Sequence, residues 1–347
     1  MKSRSALAFR PSDPEPLPLS VRNKSASASR RWTCLTRRVL DLSIVLAFGA
    51  LCTFAFPLNG CKAKEKGGPL DTLRVGYFAN LTHAQAVLGV SSGELERAIY
   101  PATLQTKIFN AGPSLIEALF ADELDLGYVG PGPVISAHAR SSGEGVRVLA
   151  GAAANGVVIV ARKGSGITSL SDLKGKRIAT PQLGNTQDIS ARHFLGIDRG
   201  GDLKNILPVP NTEQASLLAR GEIEAAWVPE PWGQRLIAET GAHLVGEEKD
   251  LWPTKEFILT LVVTRPEFLA KHMDVVEKFL AVHTSWTSRL VADPEKHIDE
   301  LDTALFALTG KRLPEGVLPA AMKRVKFTNE PLVSSLDALA ALPVVER

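Results

Sequence analysis

Residues 62–347 contain no cysteine, because Cys34, Cys52 and Cys61 all lie near the start of the 347-residue chain. A disulfide framework, a thiolate metal site and a cysteine nucleophile are therefore excluded for that part of the chain. The seven histidines are scattered, and the sequence has neither a Ser–His–Asp arrangement nor a metal-spaced cluster of His, Asp and Glu. We therefore expect no enzymatic activity, no metal ion and no cofactor.

The sequence also lacks a strong excess of charge of one sign. Residues 1–60 carry nine Lys and Arg against three Asp and Glu, which leaves 31 basic and 34 acidic residues for 61–347. The net charge of +3 for the whole chain therefore becomes −3 for 61–347. A mildly acidic folded region argues against nucleic acid as a partner. With 45% apolar and 22% charged residues, the chain is typical of a globular protein with room for two domains.

The N-terminal region has the order of an export signal. Residues 1–38 are rich in Ser, Pro and Arg and are predicted to be disordered, and an apolar run follows at 39–57. Leu58-Asn59-Gly60-Cys61 resembles a bacterial lipobox, so we expect cleavage there and a lipidated Cys61, with 62–71 as a flexible tether. An uncleaved anchor, a twin-arginine export route and an over-extended start remain alternatives. Each places the folded region outside the cytoplasm, and lipidated Cys61 would hold it at the membrane.

Strand patterns alternate with short helical patterns from residue 72 onward. This alternation predicts an α/β fold with doubly wound, mostly parallel sheets and ligands at the carboxyl ends of the strands. From Pro266 the pattern is almost wholly helical, and such a tail must pack on something already formed. We therefore predict one lobe from 72–160 and 258–347 and a second from 161–257. The two crossings, near 157–163 and 257–264, would act as a hinge beside a cleft.

Four turns in this pattern join a strand to a helix. Their sequences are FNAGPS (109–114), YVGPGP (128–133), ATPQLGNTQD (179–188) and WVPEPW (227–232). A helix that begins in this way directs free backbone N–H groups and a positive dipole end at one spot, which suits a small anion. None of the four contains Lys or Arg, which indicates that neutral donors would bind the anion.

These four turns, in this order, resemble the solute-binding proteins of nitrate/sulfonate/taurine-type ABC importers, and the likeness extends over about residues 72–290. The resemblance implies a periplasmic-binding-protein type II fold in which two lobes, joined by two hinge strands, close around one small solute. It also implies delivery of that solute to a membrane permease driven by a cytoplasmic ATPase, with the binding protein acting as a monomer.

The resemblance further implies which residues contact the ligand. These are Asn80, Thr82, His83, Gly112, Ser114, Gly130, Pro131, Asn185, Thr186, Gln187, Trp227 and Glu230.

Several of these residues have structural alternatives. Ser114, Thr186 and Gln187 could simply cap helices, and Trp227 could be part of the core rather than cover an apolar ligand. If Asp188 or Glu230 faces the cleft, we expect a zwitterionic ligand, and otherwise a simple anion.

The ligand itself stays open at this point. The leading hypothesis is a small anion such as an alkanesulfonate, taurine or nitrate. An aromatic solute such as a thiamine-pyrimidine precursor is the alternative, favoured if Phe78, Tyr128 and Trp227 converge. A solute sensor without transport is a third hypothesis.

Overall fold

The computed structural model describes residues 68–197 and 203–342. The predicted export signal, the lipobox with Cys61 and most of the tether lie outside the described residues. Within them, no helix is both long enough and apolar enough to cross a membrane.

The strands follow the predicted alternation. They are β1 (Thr72–Tyr77), β2 (Thr103–Ile108), β3 (Leu126–Val129), β4 (Arg147–Asn155), β5 (Val157–Ala161), β6 (Ile178–Thr180), β7 (Ile206–Pro208), β8 (Ala225–Pro229), β9 (His243–Glu247), β10 (Ile258–Thr264) and β11 (Val325–Phe327).

Helices connect and cover these strands. They are α1 (Ala84–Ser91), α2 (Glu94–Ile99), α3 (Gly112–Phe120), α4 (Pro131–Arg140), α5 (Thr186–Phe194), α6 (Asn211–Arg220), α7 (Trp232–Thr240), α8 (Pro266–Lys271), α9 (Met273–Ala292), α10 (Ile298–Thr309), α11 (Val317–Met322) and α12 (Val333–Ala340).

The strands form two sheets. The first has six strands in the order β11-β4-β10-β3-β1-β2, and the second has five in the order β7-β6-β8-β5-β9. Within the first sheet β2, β1 and β3 are parallel, and within the second β7, β6 and β8 are parallel. The strands β10 and β5, which follow the two crossings, run antiparallel to their neighbours, and β11 runs antiparallel to β4. The predicted α/β fold with two sheets is therefore confirmed.

The chain passes between the sheets at two adjacent points. It leaves the first sheet after β4, turns at Gly156 with a φ of 73°, and enters the second sheet as β5. All of β5 belongs to the second sheet, whereas we drew the lobe boundary after residue 160. At the return crossing the amide of Asn155 donates to the carbonyl of Phe257 at 2.7 Å, and the Phe257 amide donates to Asn155 Oδ1 at 3.1 Å. These hydrogen bonds hold the two crossings side by side.

Two local predictions were wrong. The tail, predicted to be almost wholly helical, contains the strand β11, which pairs antiparallel with β4 in the first sheet. The pattern did not predict this strand, because three residues show too little periodicity to recognise and the partner strand is distant in sequence. The pattern of residues 80–90 also predicts Thr82 as the N-cap of the first helix, which is wrong. A 3-10 turn at Leu81–His83 precedes α1, and the side chain of Asn80 caps that turn by accepting the Thr82 amide. The helix α1 itself has no side-chain cap.

Candidate functional site: a cavity between the two sheets

A cavity of about 410 Å³, including its opening to solvent, lies between residues of the two sheets. Its walls come from turns that follow β1, β2 and β3 on one side and β6 and β7 on the other. Eight of the twelve predicted contact residues line it: Asn80, Thr82, His83, Gly112, Gly130, Asn185, Thr186 and Gln187. Turns that are far apart in sequence therefore meet around one space.

The start of α5 supplies the wall from the second sheet. The side-chain oxygen of Asn185 accepts the backbone amide of Asp188 at 2.8 Å, which caps the helix and fixes the orientation of the Asn185 amide group. The amides of Thr186 and Gln187, in the first turn, have no carbonyl partner within the helix. This turn therefore offers hydrogen-bond donors and the positive end of a helix dipole.

The turn after β1 supplies a neutral histidine. Burial lowers the pKa of His83 to about 3, so its ring carries no charge at neutral pH. Its Nδ1 accepts the backbone amide of Phe78 at 3.3 Å, which assigns the ring proton to Nε2 and makes Nε2 a donor. The ring also stacks on Phe78, with centroids 4.3 Å apart. The geometry therefore holds His83 as an oriented, uncharged donor in the cavity wall.

The two walls touch beside the cavity. Thr186 Oγ1 accepts the amide of Gly132 at 3.1 Å, and Gln182 donates from Nε2 to Ser114 Oγ at 3.4 Å. A side chain at Gly130 would place its Cβ 2.4 Å from Thr186 Oγ1, which is closer than such atoms can approach. Glycine at 130 is therefore what lets these two turns meet.

Four predicted residues lie outside the cavity lining. Ser114 reaches the opposite wall through Gln182, and Pro131 is the buried first residue of α4. Trp227 is fully buried and donates from Nε1 to Glu248 at 2.6 Å, so it belongs to the core of the second sheet.

Glu230 is the fourth of these residues. Its carboxylate accepts the amide of Gln234 in the first turn of α7 at 3.0 Å and lies 3.4 Å from Arg324 Nη1, on the segment that leads into β11. Burial raises its pKa to about 7 in spite of these partners. Its contacts are with a helix start and with a cation from the other sheet.

Asp188 is also turned away from the cavity. It accepts the amide of Gly184 at 2.7 Å and pairs with Arg192 one helical turn later. With Glu230 outside as well, the lining residues include no Asp, Glu, Lys or Arg. Across the described parts of the chain, no group of three or more His, Cys, Asp and Glu could hold a metal ion. The cavity thus offers neutral polar groups and apolar surface.

The aromatic convergence that would favour a pyrimidine ligand is not observed. Phe78 lines the cavity, but Tyr128 is fully buried and its hydroxyl pairs with His283 Nδ1 at 2.8 Å in the core of the first sheet. Trp227 lies in the core of the second sheet. The three rings therefore belong to separate environments.

Sequence reasoning missed several lining residues. Asn211 begins α6 after β7, and this fifth strand-to-helix turn would have identified it. Asn110 belongs to the FNAGPS turn but was not selected. Leu259 and Thr260 lie on the crossing strand β10, where no motif marks them.

Comparison with solved structures identifies the fold. The alkanesulfonate-binding protein SsuA from Xanthomonas axonopodis pv. citri, bound to MOPS, is similar with a TM-score of 0.63 at 21% identity, covering 80% of this chain and 96% of that one. The periplasmic aliphatic sulphonate binding protein SsuA from Escherichia coli has a TM-score of 0.60 at 22% identity, covering 78% and 84%. At these identities the likeness concerns the fold, which is that of the periplasmic binding proteins.

Sequence comparison assigns the family. Residues 66–301 match the NMT1-like family, and the chain therefore belongs to it. The taurine-binding periplasmic protein of Escherichia coli (strain K12) is 27% identical over 231 residues, which is 64% of this chain and 68% of that protein. A Bacillus subtilis (strain 168) protein, provisionally named an aliphatic sulfonates-binding protein, is 28% identical over 295 residues, or 81% and 82% of the two chains. These two relatives are named for the binding of taurine and of aliphatic sulfonates.

Proposed function

We propose that this protein is the extracytoplasmic solute-binding component of an ABC importer and that it captures a small organic anion of the alkanesulfonate type. The observation that carries the proposal is the cavity between the two sheets, where neutral donors from His83, Asn185 and the first turn of α5 line one space. A buried anion loses its hydration and needs several hydrogen bonds in return. Donors at helix starts supply these bonds without a counter-charge.

The lining also favours one kind of anion. A zwitterion such as taurine carries an ammonium group, and burying that group without an acceptor of negative charge is costly. Asp188, which pairs with Arg192, and Glu230, which accepts from the start of α7, both lie outside the lining, and no carboxylate of the described residues lines the cavity. We therefore assign a plain alkanesulfonate to this chain, although one of its relatives is named for taurine.

Binding proceeds by closure of the cleft. In the open cleft the ligand would contact only the turns of the first sheet, and in the closed cleft it would also contact the start of α5. The ligand therefore shifts the equilibrium toward the closed state by the difference between its affinities for the two states. Gly130 and the Thr186–Gly132 hydrogen bond mark the closed contact, and the paired crossings at Asn155 and Phe257 are the hinge.

The lobe division and the anchor complete the proposal. The first lobe comprises 72–160 and 258–347 and the second 161–257, except that the whole of β5 (Val157–Ala161) belongs to the second lobe. Lipidated Cys61 tethers both to the outer side of a membrane next to the permease that receives the ligand. Replacing Cys61 with serine should release the protein from the membrane fraction. Retention of the Cys61→Ser protein would instead indicate an uncleaved anchor.

Titration calorimetry of the purified chain tests the ligand class with butane-1-sulfonate, methanesulfonate, taurine and nitrate. At a ligand concentration of about 100 times Kd we expect a gain of about 2.7 kcal/mol in unfolding free energy, and a rise in Tm on the order of 5 °C. Heat or a Tm shift with none of the four would contradict the proposal.

A charge substitution locates the site. Gln187→Glu places a carboxylate of nearly the same shape in the cavity wall, and two like charges about 4 Å apart repel by about 4 kcal/mol at an effective dielectric constant near 20. We expect a loss of affinity of roughly a thousandfold. The matched control is Gln105→Glu, on the exposed strand β2 outside the cavity, which should bind like the unmodified chain.

A further inference from the structure

An arginine that belongs to the first sheet reaches two carboxylates of the second. Arg324 lies between α11 and β11, and β11 pairs with β4 so that Val325 stands opposite Asn155. Arg324 Nη1 lies 3.4 Å from Glu230 Oε1, and Arg324 Nε lies 3.3 Å from Glu247 Oε1. Glu230 follows β8 and Glu247 ends β9, and both strands belong to the second sheet. These three side chains, which we call the clasp, therefore join the two sheets.

The clasp lies beside the first crossing of the chain. The Glu230 amide donates to the carbonyl of Gly156, at the turn between the sheets, over 2.7 Å. In β5, which begins directly after this turn, Val158 stands opposite Glu247. A rotation of the second sheet about Gly156 would therefore move both carboxylates relative to Arg324, which stays with β4 through β11.

The packing around the clasp is that of two bodies in contact. In α7, Trp232 and Leu236 pack with strands of the second sheet, whereas Leu305 of α10 and Leu318 of α11 pack with strands of the first. A space of about 280 Å³, including its opening to solvent, remains between α7 and the tail, and Pro231, next to the clasp, lines it. Apolar packing is thus interrupted where the charged groups bridge the two lobes.

The charges of the clasp depend on one another. The Glu230 side chain is fully buried, so its charge needs a partner. Burial, together with the nearby Glu247 carboxylate, raises the pKa of Glu230 to about 7, whereas Arg324 favours its ionised form. Glu247 also pairs with Lys249 at 2.6 Å, within the second lobe. Loss of the Arg324 charge would leave Glu230 near a second carboxylate and without its partner from the first sheet.

We propose that the clasp holds the two lobes in the closed arrangement, and that Arg324 is a positioning residue for ligand capture that acts from outside the cavity. Among the described residues that line the cavity between the sheets, none belongs to the clasp. The inference rests on the closure of the cleft proposed above. A ligand that requires closure binds in proportion to the population of the closed state, so the clasp should change the affinity of every such ligand by one common factor.

Calorimetry of the full chain at pH 8, where Glu230 is mostly ionised, measures that factor with methanesulfonate and butane-1-sulfonate. Arg324→Gln should weaken the binding of both by the same factor, at least about tenfold, because it truncates one partner of a mostly buried charge pair. Arg324→Lys keeps the charge and should retain most of the affinity. The matched control is Arg312→Gln, because Arg312 pairs at 3.2 Å with Asp302 inside the tail, and this variant should bind like the unmodified chain.

Amide hydrogen exchange without ligand tests the clasp independently of the identity of the ligand. In Arg324→Gln, exchange should become several-fold faster at the crossing (153–158) and at the start of α7 (230–236), because the two lobes separate there more often. Exchange in β1 and β3, inside the first sheet, should change much less. A merely structural role for Arg324 would instead accelerate exchange in all of these segments alike.

The outcomes separate this inference from the proposed function. Arg324→Gln binding as tightly as Arg312→Gln, or weakening the two sulfonates by unequal factors, would overturn the clasp. Binding by Arg324→Lys as weak as that by Arg324→Gln would overturn the role of charge, and equal acceleration of exchange in all segments would overturn the positioning role. Binding of no sulfonate by any variant would overturn the proposed function. Exchange would then decide on the clasp alone, since faster exchange confined to the crossing and α7 would support it and unchanged exchange would overturn it.

Discussion

Replacing Gly130 with alanine would block the contact between the two walls of the cavity. The new methyl carbon would lie 2.4 Å from Thr186 Oγ1, while its next neighbours, the Leu259 carbonyl oxygen and Thr186 Cβ, would be at an ordinary 3.5 Å. One atom therefore causes the clash. Either the Thr186 side chain rotates and gives up its hydrogen bond from Gly132, or the cleft stays open.

The expected cost follows from these contacts. Inserting a methyl group into a packed contact costs about 1–3 kcal/mol, and losing one hydrogen bond costs about 1 kcal/mol. The sum of about 2–4 kcal/mol corresponds to ligand affinity weakened by roughly 30-fold to 1,000-fold. Because an open cleft separates Gly130 from Thr186, the unfolding free energy measured without ligand should change much less.

A double-mutant cycle isolates the clash. In a Thr186→Ala background the offending oxygen is absent, so adding Gly130→Ala should cost almost nothing further, and the coupling energy should be about 2–4 kcal/mol. Calorimetry with butane-1-sulfonate gives the affinities, and solution scattering should show a smaller radius of gyration on ligand addition for the unmodified chain but a smaller or no decrease for Gly130→Ala. Gly68→Ala, with no atom within 4 Å, is the control. Additive losses in the cycle would refute closure through this contact.

Three further predictions concern buried ionisable groups. Sulfonate affinity should be constant between about pH 5 and pH 8, because His83, with a pKa near 3, stays neutral; a marked gain on acidification in calorimetry would contradict this. Asp188→Asn should lower the unfolding free energy in urea by about 3–5 kcal/mol because Arg192 loses its partner, and it should leave the preference among sulfonates unchanged. Burial raises the pKa of Glu248 from 4.5 to about 7, so the folded state binds the extra proton and the stability of the unmodified chain falls as pH rises through that window. Between pH 4.5 and pH 8, the unfolding free energy of Glu248→Gln in urea should therefore rise by on the order of 3 kcal/mol relative to that of the unmodified chain. A difference in unfolding free energy that does not change with pH would contradict the raised pKa of Glu248.

Much of the fold could be predicted from local pattern. The alternation of strands and helices indicated two α/β units, and the turns at Gly112, Gly130 and Asn185 identified helix starts that do line one cavity. These inferences worked because capping and turn chemistry depend on neighbours within a few residues. The strand β11 was missed for the opposite reason, since its pairing depends on β4, far away in sequence.

The roles of side chains were harder to predict, because a side chain's direction is decided by its packing partners. The pattern places Trp227 at a strand end beside the cleft, whereas it lies in the middle of β8 and its side chain turns into the core to reach Glu248. Asp188 is three residues from the cap of α5, yet it turns back to Gly184 and Arg192. The direction of Trp227 does not follow from the spacing of residues. The Asp188–Arg192 pair has the i, i+4 spacing of helical ion pairs, but this spacing alone did not exclude a ligand contact for Asp188.

The sequence by itself determined the family, the two-sheet α/β fold and the set of turns that could bind an anion, because these depend on local motifs and on the period of apolar residues. Only the tertiary structure decided which turns face one another and which carboxylates are kept out of the cavity. It also decided that Leu308, in the helical tail, lines a second cavity that shares Phe78 and Asn80 with the first. The meeting of the turns, the pairing of Glu230 with Arg324 and the place of the tail depend on contacts between residues tens to hundreds of positions apart, which form only when both sheets have folded.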